Sequence, residues 1–62
     1  MKYNELSRLL KKAGCYPLGV TRHGHPLWYS PMTGKEFQFS HHGKEEVARG
    51  TLRAILLAAG IK

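Results

Sequence analysis

Residues 16–40 read YPLGVTRHGHPLWYSPMTGKEFQFS, and this stretch decides the fold. Its apolar residues recur at every second position. Tyr16, Leu18 and Val20 alternate with Pro17, Gly19 and Thr21, while Phe37 and Phe39 alternate with Glu36, Gln38 and Ser40. The aromatic-rich run at 26–30, Pro-Leu-Trp-Tyr-Ser, lies between them and is equally strand-like. Pro31-Met32-Thr33-Gly34 is a strong turn signal, with proline suited to the second turn position and glycine to a positive φ. His23-Gly24 marks a looser turn. Three consecutive strands joined by short turns must be antiparallel.

On either side of this stretch the period changes from 2 to 3.6. Leu6, Leu9, Leu10 and Ala13 form one apolar stripe, leaving Glu5, Arg8, Lys11 and Lys12 for water, and predict a helix near residues 4–13 with Asn4 as N-cap and Gly14 as its stop. Leu52, Ile55, Leu56 and Ala59 repeat the pattern before Gly60. Leu57 and Ala58 widen that second stripe, which predicts the better buried helix of the two. Two apolar helix faces need a cover, so the expected architecture is α+β: an α-β-β-β-α chain with both helices on one face of a three-stranded antiparallel sheet. In that arrangement Trp28, Phe37 and Phe39 belong to the core, and Tyr29 shares the other face with His25 and Leu27. Cys15, just after the helix-ending glycine, reads as a small packed residue.

Length and charge narrow the function. The chain of 62 residues is expected to be one domain, residues 1–62, near the lower size limit for a single apolar core. Ten Lys and Arg against four acids give a formal charge of +6, which favours anionic partners: nucleic acid first, then an acidic protein surface, then anionic lipid. All four acids are glutamates, which disfavours aspartic dyads, EF-hand loops and carboxylate-held Mg²⁺. One cysteine excludes an intramolecular disulfide and a Cys-rich zinc site. No apolar run approaches a membrane span and no secretory signal is recognisable, so a reducing, cytoplasmic setting is expected.

Four histidines stand in two groups, His23-x-His25 at the first turn and His41-His42 after the third strand. Three imidazoles are enough ligands to hold a metal, but no Cys or Asp completes the set and no metal or other cofactor is expected. The alternative is metal-free acid–base chemistry on RNA. Cleavage through the 2′-hydroxyl needs a base, an acid and cations around the phosphate, and imidazole titrates close to neutral pH. Arg22, His23, His25 and Lys35 supply both kinds of group. Tyr29 offers a ring on which a base can stack, against the plainer reading of a half-buried aromatic.

The whole chain resembles the HicA-type mRNA interferase toxins. The resemblance rests on Lys2-x-x-Glu5-Leu6-x-x-Leu9-Leu10-x-x-x-Gly14, on His25-Pro26-Leu27-Trp28 as the family's His-x-x-aromatic motif, on the turn at 31–34, and most specifically on Arg49-Gly50-Thr51-Leu52-Arg53-Ala54-Ile55-Leu56 followed by Ala59-Gly60-Ile61. It implies a fold like that of double-stranded-RNA-binding domains, cleavage of mRNA with His25 as the catalytic residue, and a HicB-type antitoxin as partner. It leaves open whether His41 or His42 matches the family's loop histidine. Two departures bear on the site: His23 stands where the family often has glycine, and Pro26 removes a backbone donor, which predicts an edge or bulged strand. A non-catalytic double-stranded-RNA-binding module on the same fold is the alternative reading, and a basic protein that meets only an acidic partner is a third.

Overall fold

The computed structural model describes residues 1–40 and 42–61. The element order is α1 (Tyr3–Lys12), β1 (Tyr16–Arg22), β2 (His25–Ser30), β3 (Lys35–Gln38) and α2 (Arg49–Ala59), and the strands form one antiparallel sheet in the order β1-β2-β3. The expected α+β architecture is the observed one. Trp28 on β2 pairs directly with Phe37 on β3, so both side chains leave the same face of the sheet. Leu6 and Leu10 of α1 and Ile55 and Ala59 of α2 join these rings in one core cluster, which puts both helices on that face. Phe39 fills the centre, with the Trp28 ring edge-on at 5.3 Å.

Both helices stop for the same reason. Gly14 and Gly60 take positive φ (95° and 80°), which L-residues with a Cβ resist. Each then closes a Schellman motif: the Cys15 N–H donates to the Leu10 carbonyl and the Ile61 N–H to that of Leu56. The remaining C-terminal carbonyls of α2 are taken by the β2–β3 hairpin. The Ser30 hydroxyl donates to the Ala59 carbonyl at 2.7 Å and that of Thr33 to the Ala58 carbonyl, so all of the last four carbonyls are satisfied.

Several expectations need correction. The N-cap of α1 is Lys2, not Asn4: the Lys2 N–H donates to the Glu5 carboxylate at 3.0 Å, while the Tyr3 and Asn4 amides donate to the carbonyls of Glu45 and Gly43 in the β3–α2 loop. Tertiary partners thus replace the side-chain cap that Asn4 would have supplied. The His23-Gly24 turn is tight rather than loose, a two-residue hairpin in which both residues have positive φ (54° and 79°). β2 is the central strand, so Pro26 does not mark an edge. Pro26 accepts from the Phe39 N–H at 3.1 Å but cannot return a bond, and the paired ladder stops at Gln38.

The irregularity lies instead in β1. Its pairing shifts between Pro17 and Thr21, so that Leu18, Gly19 and Val20 oppose the single residue Leu27, with Gly19 at a φ of 78°. No residue of β1 is buried. The outer face of the sheet is nevertheless not wholly given to water: Tyr16 and Tyr29 pack ring to ring at 5.7 Å, and Leu27 is buried there. An ion pair from Arg22 to Glu36 (3.5 Å) crosses β2 between its two neighbours, diagonally over the Leu27 position. Finally, α2 is not the better buried helix. Leu57 is 68 % exposed, and only Ile55 and Ala59 of α2 are buried.

Candidate active site

His25 opens β2 at the end of the sheet opposite the Pro31–Gly34 turn. That turn pairs Ser30 with Lys35, and the same register carried to the other end sets His25 against Ser40. The two side chains meet: His25 Nδ1 and Ser40 Oγ are 2.8 Å apart. They open onto a small pocket whose floor and walls are Tyr3 from α1, Gln38 from β3, His42 from the β3–α2 loop, and Thr51 and Ile55 from α2.

Each wall has a local cause. Tyr3 is the first residue of α1, held by its amide bond to the Glu45 carbonyl, and its ring leans on Phe39 at 5.9 Å. The His42 imidazole packs edge-on against that same Tyr3 ring, centroids 4.9 Å apart. Thr51 lies in the first turn of α2, a helix whose N-cap, Ala48, has no side chain able to bond the first amides. The first amides of α2 thus have no side-chain cap, and a helix start of that kind suits an anion.

The Ser40 contact constrains the chemistry of His25. A hydroxyl can accept from Nδ1–H or donate to a bare Nδ1, so in the Nδ1–H tautomer the contact to Ser40 is kept while Nε2 loses or gains its proton. Nε2 is then the nitrogen left for a substrate.

The residues singled out from sequence do not all gather here. Arg22 is the direct cross-strand partner of His25, and His23 sits in the turn between them, so these three share one end of the sheet. Tyr29 is on the face of His25 but four positions along β2, about 13 Å away at the usual strand rise, and Lys35 lies at the far end of β3, about 17 Å away. The single cluster of Arg22, His23, His25 and Lys35 drawn from sequence proximity thus separates, because the β2–β3 turn points away from the first. Arg22 is also engaged by Glu36. His41 lies outside the described residues. Among the described residues no three His, Cys, Asp or Glu side chains come together as a metal site would require.

Tyr3, Gln38, Ser40, Thr51 and Ile55 were not singled out from sequence. Ser40 and Gln38 were within reach, since the turn at 31–34 fixes the register that sets them beside β2. Tyr3 and Thr51 depend on how the helices dock, for which the sequence carries no local signal.

Comparison with known families decides the relationship. The model of the HicA toxin family of bacterial toxin–antitoxin systems matches residues 3–61. The chain belongs to this family. The match spans every element of the fold, from the first residue of α1 to the residue after the α2 cap. HicA membership makes the chain a toxin with an antitoxin as its partner. No curated protein and no solved structure gives a significant match. No helix among the described residues is long and apolar enough to cross a membrane.

Proposed function

We propose that this HicA chain is an endoribonuclease that cleaves mRNA through the 2′-hydroxyl adjoining the scissile phosphate, with His25 as its acid–base group and no metal in the chemical step. The observation that carries this reading is the His25–Ser40 pair at the pocket: an imidazole held through Nδ1, which leaves Nε2 for a substrate. Nε2 takes the 2′-hydroxyl proton as O2′ attacks phosphorus. The P–O5′ bond breaks, and the leaving oxygen receives a proton from the same imidazolium or from His42 across the pocket. The products are a 2′,3′-cyclic phosphate and a 5′-hydroxyl. Charge on the phosphorane is met by the uncapped amides at the start of α2 and by the basic surface of the chain.

Arg22 and His23 hold the RNA backbone beside the scissile phosphate, Tyr29 contacts it further along the outer face, and Lys35 contacts it from the far end of β3. Tyr29 and Lys35, about 13 and 17 Å from His25 at the usual strand rise, would meet nucleotides beyond those flanking the scissile phosphate. A HicB-type antitoxin in the same cytoplasm neutralises the activity.

The test is cleavage of a defined RNA in excess chelator by wild type and His25→Ala, with the 3′ ends identified. Cyclic phosphate ends that vanish with His25→Ala, and with a 2′-deoxy nucleotide at the scissile position, support the mechanism. Salt-sensitive binding of duplex RNA without new ends would replace it with the non-catalytic module.

A further inference from the structure

At the edge of α2 that flanks the core, one leucine and two arginines have no role in folding. Arg49, Leu52, Arg53, Leu56 and Leu57 follow one another at helical spacing, and with Ile61 beyond the cap they form a shallow aliphatic groove flanked by two guanidiniums; Leu52, Leu56 and Ile61 pack their inner sides against the core, whereas Leu57 meets none of it. Leu57 is 68 % exposed, the most exposed large apolar side chain of the described residues. Arg49 is the first residue of the helix, where the macrodipole is positive and disfavours a cation, and Arg53 stands four positions on, a like-charge neighbour. α2 contains no acid, and among the described residues neither arginine has a carboxylate partner. Both the leucine and the arginines are thus placed against the stability of the isolated chain.

Three kinds of occupant are conceivable, and they differ in what they satisfy. RNA would meet the arginines but leave Leu57 and the open side of the groove in water. A second copy of the chain would bury the leucines but bring four guanidiniums into one interface; the C-terminal α2 carbonyls that could offset them are already taken by Ser30, Thr33, Gly60 and Ile61. An amphipathic helix with aliphatic anchors and flanking carboxylates satisfies both features at once.

We infer that the Arg49–Leu57 face of α2 is a docking surface for an acidic amphipathic helix of a protein partner. Thr51 and Ile55, which line the His25 pocket, leave α2 on a different side from this stripe, so the two surfaces are separate. The inference rests on toxin–antitoxin membership for the existence of a protein partner and is independent of the nuclease reading.

The experiment titrates the full-length chain with a short fluorescent amphipathic peptide carrying leucines on one face and glutamates beside them, followed by anisotropy and by amide chemical shifts. The expected result is saturable binding that shifts α2 amides, weakened about tenfold or more by Leu57→Glu or by the pair Arg49→Glu and Arg53→Glu. Binding of a lysine-flanked peptide should appear in the Arg-to-Glu pair. Because all three side chains are exposed, the variants should keep the wild-type melting temperature. His25→Ala should bind the acidic peptide as wild type does, whether or not it cleaves RNA, which separates failure here from failure of the nuclease reading. No saturable binding, or binding indifferent to Leu57→Glu, overturns the proposal. So does self-association abolished by Leu57→Glu, which would assign the face to a second copy. RNA affinity lost in the arginine pair without any peptide binding would assign it to RNA.

Discussion

Replacing Ser40 with alanine removes one hydroxyl and tests the core of the proposed mechanism. In the structure Ser40 Oγ lies 2.8 Å from His25 Nδ1 and is the side-chain partner that fixes the ring. When Nε2 takes a proton in the transition state, Nδ1–H becomes a donor on a cation, and such charged hydrogen bonds contribute about 1.5–3 kcal/mol against about 1 kcal/mol for a neutral one. The hydroxyl therefore favours the transition state over the ground state by roughly 0.5–2 kcal/mol, or about two- to thirtyfold in rate. Solvent reaches the pair, so the centre of that range, roughly tenfold, is expected. The loss should fall on kcat and leave KM nearly unchanged, because the ring that binds is still present. Ser40→Thr keeps an acceptor and should recover most of the rate. The assay is single-turnover cleavage of a defined RNA in chelator, with Ser40→Ala measured both alone and in the His25→Ala background. If Ser40 acts through His25, it has no further effect once the imidazole is gone. Equal rates for Ser40→Ala and wild type, or the same fold-loss in both backgrounds, would refute the positioning role.

Four other outcomes follow from the geometry. His25→Ala should lower cleavage by about 10²- to 10⁴-fold, read as the rate of new 5′ ends, without lowering the melting temperature. Ser30→Ala should cost about 1–3 kcal/mol, because it leaves the fully buried Ala59 carbonyl without its donor; the urea midpoint should fall with the slope unchanged. Gly60→Ala should destabilise more than Gly19→Ala in the same urea assay: both have a φ near +80°, costing about 1–2 kcal/mol, but only at Gly60 would the new Cβ meet a side chain, Thr33 Cγ2 at 2.8 Å. His23→Gly should raise stability by up to about 1 kcal/mol by relieving the positive φ, while lowering RNA affinity if the imidazole contacts the backbone.

What was legible in the sequence was what local physics determines. Gly14 and Gly60 ended their helices where the spacing said they would, and the turn at 31–34 placed Trp28, Phe37 and Phe39 on one buried face. The misreadings share a different origin. The N-cap of α1 was misplaced because loop carbonyls from residues 43 and 45 satisfy its amides, partners some forty positions away. The alternation of Leu18 and Val20 marked a strand, but a bulge opposite Leu27 breaks the regular pairing there, which alternation does not show. Leu57 read as core because periodicity counts apolar residues without showing what they meet. Lys35 was grouped with His25 by nearness in the chain, although two antiparallel turns place the ends of a central strand at opposite ends of the sheet.

The two ends of this small domain are built for different work. At one end the last four carbonyls of α2 are fully bonded, two by backbone and two by Ser30 and Thr33, which locks the helix to the hairpin beside it. At the other end α2 begins without a capping side chain, β1 and β2 meet in a strained turn, and the β2–β3 ladder stops at Pro26. His25 and its Ser40 partner stand at this end. A chain of 62 residues has about 3–9 kcal/mol of total stability, so it could not leave both ends so lightly held and still fold. Concentrating the polar satisfaction at the Ser30–Ala59 end frees the His25 end for a ligand. Substitutions at His25, Ser40 and Thr51 should therefore leave the unfolding midpoint almost unchanged, whereas those at Ser30 and Gly60 lower it without touching the pocket.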